Sequence, residues 1–323
     1  MLRLADKWVW DFWLAKDGPD YHLFYLQAPR SIGDAELRHW NVSIGHAASQ
    51  NLRDWEILPD ALKPSIASDT WDNYTTWTGS VIQHAGLWYL FYTGCCREEG
   101  GLIQRIGLAT SIDLINWQKH PDNPLLEPDP RWYELLNLDA WHEQAWRDPW
   151  VFQPPGSDKF HAFLTARTNS GPEDGRGVIA HAKSEDLIHW EVLPPVSEPG
   201  EYGHLEVPQL IEINKRYYLL FCVTGEAFSK KNSQSTGKPL RTGTYYLVAD
   251  QPSGPFRFAT QEALFADEIG STYAGKLVRH PRSKWLFLYT RMFTPAGEFL
   301  GEIGDPLEVA VGEDGSLSLA EVG

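Results

Sequence analysis

Three carboxylic acids stand at matching points of a long internal repeat: Asp11, Asp148 and Glu206. They lie 137 and 58 residues apart, so each belongs to a different repeat unit and only folding could bring them together. Carboxyl groups crowded around one axis repel and raise one another's pKa, a cost that a structural ring would avoid with Ser or Asn. Two carboxyls in unlike environments suit cleavage of a glycosidic bond. One, protonated, donates to the leaving oxygen, while the other, ionised, attacks the anomeric carbon or activates water. Trp10, Phe12, Trp13, Trp146 and Arg147 lie beside these acids, and Trp77 and Ser80 beside Thr78, which stands at the matching point of the second repeat. Aromatic faces pack on sugar C–H faces and Arg takes hydroxyls, so all seven are candidates for substrate binding.

The elements that must hold these acids are legible as a fivefold repeat. An aromatic strand recurs as Tyr21–Tyr25, Trp88–Tyr92, Phe160–Leu164, Tyr217–Phe221 and Trp285–Tyr289. A strand of small residues follows the first three (Ile44–Ser49, Ile106–Ser111, Ile179–Ser184), each leading into an Asn or Asp and then Trp55, Trp117 or Trp190. It decays to Tyr246–Asp250 and Leu307–Val311 in the last two units. Gly18-Pro19-Asp20 and Asn214-Lys215 read as hairpin turns. Each unit is therefore a four-stranded antiparallel blade, and the fold class expected is an all-β, five-bladed propeller spanning 1–323 as one catalytic domain. Counting back from the five aromatic strands places Asp11, Thr78, Asp148, Glu206 and Ala274 at one level of the innermost strands, as a ring around the channel. Trp55, Trp117 and Trp190 are expected between blades, and His46 and His181 as hydrogen-bonded structural residues. The stretches 225–243 and 127–143 read as long loops.

Composition narrows the partners. A net charge of −15, with no run among 28 Lys and Arg, argues against nucleic acid. No stretch reaches about 18 apolar residues and the first 13 residues carry charges throughout, so neither a membrane span nor a signal peptide is expected. Three cysteines, Cys95, Cys96 and Cys222, suit free thiols and a cytoplasmic protein. The spacing of His142, Glu143 and His204 matches no zinc pattern, so neither metal nor cofactor is expected, and the partner is a small carbohydrate.

Trp146-Arg147-Asp148-Pro149 resembles the Arg-Asp-Pro motif of glycoside hydrolase family 32, the invertases and fructanases, and of the related levansucrases and arabinanases. Trp77-Thr78-Gly79-Ser80, Gly45-His46-Ala47 with Trp55, and Leu205-Glu206-Val207-Pro208 resemble three further blocks. The resemblance implies a retaining β-fructosidase acting on sucrose or a small fructan-type substrate. Asp11 would be the nucleophile, Glu206 the acid/base, and Asp148 with Arg147 the holder of ring hydroxyls. The chain departs from the family at Trp10-Asp11-Phe12-Trp13, which lacks the Asn and the Pro-Asn-Gly turn, and at Val207, where the family has Cys. The family's C-terminal β-sandwich is not expected here, as in single-propeller arabinanases. An inverting arabinanase-like or xylosidase-like enzyme using the same acids, and a non-catalytic sugar-binding propeller, are the alternatives.

Overall fold

The five aromatic segments form the second strand of five antiparallel sheets in a computed structural model that describes residues 1–236, 240–280 and 284–320. Alternating large apolar side chains suit these strands, because both faces of each sheet are covered by a neighbouring sheet. The innermost strands are Lys7–Asp17, Thr75–His84, Trp146–Phe152, Glu206–Ile213 and Thr272–Arg279, and each sheet runs outward from them in chain order. This is the five-bladed β-propeller. Blades 4 and 5, where the repeat decays, each add a short extra strand, Phe265–Ala266 and Phe299–Ile303.

Tight turns set the register between inner strands and their neighbours. In blade 4, Asn214 and Lys215 take φ of 53° and 65° between the paired Ile213 and Arg216, the mirror-image turn that matches strand twist. The turn after the third strand is built identically in blades 1 to 3. Asn51, Asp113 and Asp186 each accept two backbone N–H groups through Oδ1. The next residue, Leu52, Leu114 or Leu187, sits at φ of 62° to 68° and is fully buried. The Asx bonds and the buried leucine offset the left-handed backbone.

Five apolar clusters fill the five spaces between blades. Trp117 of blade 2 meets Phe24 of blade 1 edge-on at 5.7 Å, and Trp190 of blade 3 meets Phe91 of blade 2 at 5.5 Å. Trp55 packs in the cluster that joins blade 1 to blade 5. All three tryptophans thus lie between blades. The ring closes where Leu2 exchanges backbone hydrogen bonds of 2.9 and 3.0 Å with Ile303 of blade 5. His46 and His181 are buried and bond His22 and His161 at 2.9 and 2.7 Å within their own blades. One expected loop is partly helical: 225–243 contains a single turn at Gly225–Ala227 and a helix at Lys230–Thr236, nucleated by Ser229, whose Oγ accepts from the N–H of Asn232.

Candidate active site

Every innermost strand bulges as it passes the channel mouth. The pairing register shifts between Trp10 and Phe12, between Trp77 and Gly79, between Glu206 and Gln209, between Tyr273 and Lys276, and opposite Phe163 and Thr165 in blade 3. Non-glycine residues there adopt positive φ: Asp148 at 58°, Val207 at 53° and Ala274 at 50°. Bulges re-aim side chains and are concentrated at functional rims.

The bulges also correct the ring read from the sequence. Glu206 pairs with Cys222 just before its bulge, as Arg147 pairs with Thr165 and Tyr273 with Thr290. Glu206 is therefore in step with Trp10, Trp77, Arg147 and Tyr273. Asp11, Thr78, Asp148, Val207 and Ala274 form a second level one residue further along the strands. Counting back from the aromatic strands crosses the bulge, and extra residues there slip the count by one. Both levels open into one cavity of ≈ 440 Å³, lined by Asp11, Asp148 and Glu206 together with Trp10, Trp77, Thr78 and Arg147.

The three acids have unlike surroundings. Asp11 Oδ2 accepts from Thr78 Oγ1 at 2.9 Å, and its pKa is pushed up to about 7 by burial first and then by the charges of Asp148 and Glu206. Asp148 Oδ2 accepts from Thr165 Oγ1 at 2.9 Å and from the Val207 N–H at 3.0 Å. Burial raises its pKa against the pull of Arg147. Burial also opposes ionisation of Glu206, but nearby His204 and Arg147, with hydrogen bonds from Tyr273 and Arg147, outweigh it and hold the pKa near about 2. Arg147 Nη2 donates to Glu206 Oε1 at 2.6 Å, the Tyr273 hydroxyl donates to Oε2, and His204 Nε2 lies 3.3 Å from the same oxygen. Burial depresses the pKa of His204 itself, so the lasting positive charge on Glu206 comes from Arg147.

Four expected sugar contacts lie elsewhere. Phe12, Trp13 and Trp146 are fully buried in the clusters between blades: alternation sends Phe12 into the space between blades 5 and 1 and Trp13 into that between blades 1 and 2, while Trp146 packs between blades 2 and 3. Ser80 is also buried, with its Oγ accepting from the Val151 N–H at 2.9 Å, a tie between blades 2 and 3.

Other residues complete the site. Glu36, His39 and Trp40 reach the cavity from a 3₁₀ segment, Ala35–Trp40, in the connection between the second and third strands of blade 1, a stretch whose sequence does not repeat in the other blades. Repeat alignment cannot place residues in a connection whose sequence does not repeat. Gln104 Nε2 donates to Glu143 Oε2 at 2.7 Å, and Glu143 Oε1 accepts from Arg147 Nη1 at 2.6 Å. Tyr273 was detectable, since it is the blade 5 counterpart of Glu206 once the bulges are counted. Lys276 is buried beside the ring, donating to the Val207 and Pro208 carbonyls at 2.6 and 3.2 Å, with its pKa lowered to about 8 by burial. Among the described residues no cluster of three or more His, Cys, Asp or Glu is arranged to hold a metal ion.

A five-bladed propeller that gathers carboxyl groups from three blades, a guanidinium and three indoles at one cavity is a propeller of the glycoside hydrolase type. Residues 14–292 match the glycosyl hydrolases family 32 N-terminal domain, and the chain belongs to that family. It is 33% identical over 196 residues to a sucrose:sucrose 1-fructosyltransferase of Festuca arundinacea, covering 57% of this chain and 26% of that protein. It is 31% identical over 219 residues to a sucrose-6-phosphate hydrolase of Zymomonas mobilis, covering 64% and 38%. The chain thus spans well under half the length of these curated relatives. An inulosucrase from Halalkalicoccus jeotgali, solved bound to kestose, shares the fold with a TM-score of 0.77 at 22% identity, across 98% of this chain and 87% of that one.

Proposed function

We propose that the protein cleaves a fructofuranoside, sucrose or a small fructan-type sugar, with retention of configuration. The observation that supports this reading best is the convergence of Asp11, Asp148 and Glu206 on one cavity with opposed electrostatic environments. In the first step a carboxylate oxygen of Asp11 bonds to the anomeric carbon while the glycosidic C–O bond breaks. The electron pair goes to the leaving oxygen, which takes a proton from Glu206. In the second step the Glu206 carboxylate removes a proton from water, the water oxygen bonds to the anomeric carbon, and the ester bond to Asp11 breaks. Asp148 has Oδ2 committed to Thr165 and Val207, which leaves Oδ1 for a ring hydroxyl.

With Arg147 on Glu206 the proton favours Asp11, whereas the first step needs it on Glu206. The two carboxyls are electrostatically coupled, since the charge on Glu206 is one cause of the high pKa of Asp11. A substrate hydroxyl that takes Arg147 away from Glu206 raises the Glu206 pKa. The proton then moves to Glu206, and its neutralisation in turn lowers the pKa of Asp11. Free cysteines at 95, 96 and 222 support a cytoplasmic setting. The test is a product screen over sucrose, small fructans and aryl arabinofuranosides, with the anomer first released followed by NMR. Retention on a fructoside supports the proposal. An inverted product, or activity on the arabinofuranoside alone, replaces it with the inverting arabinanase-like reading, and no turnover of any sugar leaves a binding propeller.

A further inference from the structure

The cavity lining is short of positive charge. It carries five carboxyl groups, Asp11, Glu36, Glu143, Asp148 and Glu206, against the single guanidinium of Arg147 among the described residues. If one acid holds a proton and Arg38, 3.3 Å from Glu36 Oε1, offsets Glu36, three negative charges still face one positive charge. That one positive charge is already engaged on two sides, by Glu143 Oε1 and Glu206 Oε1 at 2.6 Å each, with Asp148 Oδ2 3.7 Å from its Nε.

The imidazoles do not supply the missing charge. Burial and Arg38 drive the pKa of His39 down to about 3, and burial lowers that of His204. His142, at the rim, has Nε2 3.7 Å from Glu143 Oε1 and so already faces a carboxylate. Arg38 and Lys276 are outside the lining: Arg38 Nη1 donates to the Ala35 carbonyl and Glu36, and the Lys276 ammonium to two backbone carbonyls.

We infer that the site takes neutral, unphosphorylated fructosides and rejects sugars carrying a phosphate. This inference rests on the fructosidase reading and narrows its substrate class. A phosphate group carries close to two negative charges at neutral pH and needs donors or cations to replace its water. Here it would meet carboxylates, and juxtaposed like charges in a cleft lower both affinity and encounter rate. The distinction is concrete, because the Zymomonas mobilis relative is a sucrose-6-phosphate hydrolase.

The experiment compares kcat/KM for sucrose and sucrose 6-phosphate, at low salt and in about 0.5 M NaCl, with calorimetry of both sugars on the same wild-type protein. We expect sucrose to be favoured by roughly 10²-fold at low salt, and the ratio to shrink several-fold as salt screens the mouth. Glu36→Lys reverses one charge at the exposed rim and should raise the relative kcat/KM of the phosphorylated sugar by roughly tenfold. Equal or better use of sucrose 6-phosphate overturns the inference, as does a preference for sucrose that neither salt nor Glu36→Lys alters. Tighter binding of sucrose than of its phosphate without turnover of either keeps the charge selectivity while retiring the hydrolase reading. Failure to bind either sugar removes both.

Discussion

Asp11 in blade 1 and Glu206 in blade 4 open into the same cavity, yet the protein treats them as opposites. Asp11 has one neighbouring hydroxyl donor, Thr78, and two like charges, so burial dominates and its proton is retained up to about pH 7. Glu206 is no less withdrawn from water, but it is surrounded by Arg147, Tyr273 and His204 and stays ionised down to about pH 2. Burial sets the scale of a carboxyl pKa, and the identity of the nearest donors decides its direction. A pair split in this way provides an acid and a base from two chemically similar groups.

The largest test of this contrast is Asp11→Asn. With the proposed nucleophile gone, turnover should fall by roughly 10⁴-fold or more on every substrate, whatever the leaving group. The same change should stabilise the fold. The folded-state pKa of Asp11 lies above its unfolded value, so native stability declines as pH rises from about 4 to 7, and the amide escapes that loss. Thermal melts should therefore show the Asp11→Asn variant gaining on wild type at pH 8 and matching it near pH 4; an equal or lower Tm at pH 8 contradicts the electrostatic account of Asp11.

Glu206→Gln comes next. Loss of the proposed proton donor should cost roughly 10² to 10⁴-fold on an alkyl glycoside, while a nitrophenyl glycoside, whose leaving group departs unprotonated, should still glycosylate the enzyme and release a burst of nitrophenolate. Asp148→Asn should slow both substrates alike, by roughly 10² to 10³-fold. Should Asp148→Asn be the variant with leaving-group dependence, Asp148 is the proton donor and the assignment of Glu206 is wrong.

The smallest expected effects separate the limbs of the pH profile. Tyr273→Phe removes a donor that holds Glu206 down and should move the acidic limb of kcat/KM to higher pH, leaving the alkaline limb in place. Lys276→Met removes a cation that lowers the pKa of Asp11 and should move the alkaline limb upward instead. Both limbs moving together in either variant would mean that the pair cannot be resolved into two sites.

Much of this molecule is written locally. The aromatic strands, the small-residue strands and the Ser-x-Asn/Asp-Leu turns repeat along the chain because each blade solves the same packing problem, and a repeated solution leaves a repeated signature. The five blades, the interblade place of Trp55, Trp117 and Trp190, and the convergence of Asp11, Asp148 and Glu206 follow from that signature alone. The sugar face did not. Phe12, Trp13 and Trp146 are close to site residues in sequence but are buried in three different spaces between blades, because both faces of an inner strand pack against neighbouring blades. The level of Glu206 depended on bulges, which have no fixed residue type and reveal themselves only through the pairing partner across the sheet. His39, Trp40, Gln104 and Lys276 reach the ring from a loop of blade 1, the third strand of blade 2 and the inner strand of blade 5. Only closure of the propeller brings these residues beside the acids, and with them the desolvation and the nearby charges that make one carboxyl keep its proton and another lose it.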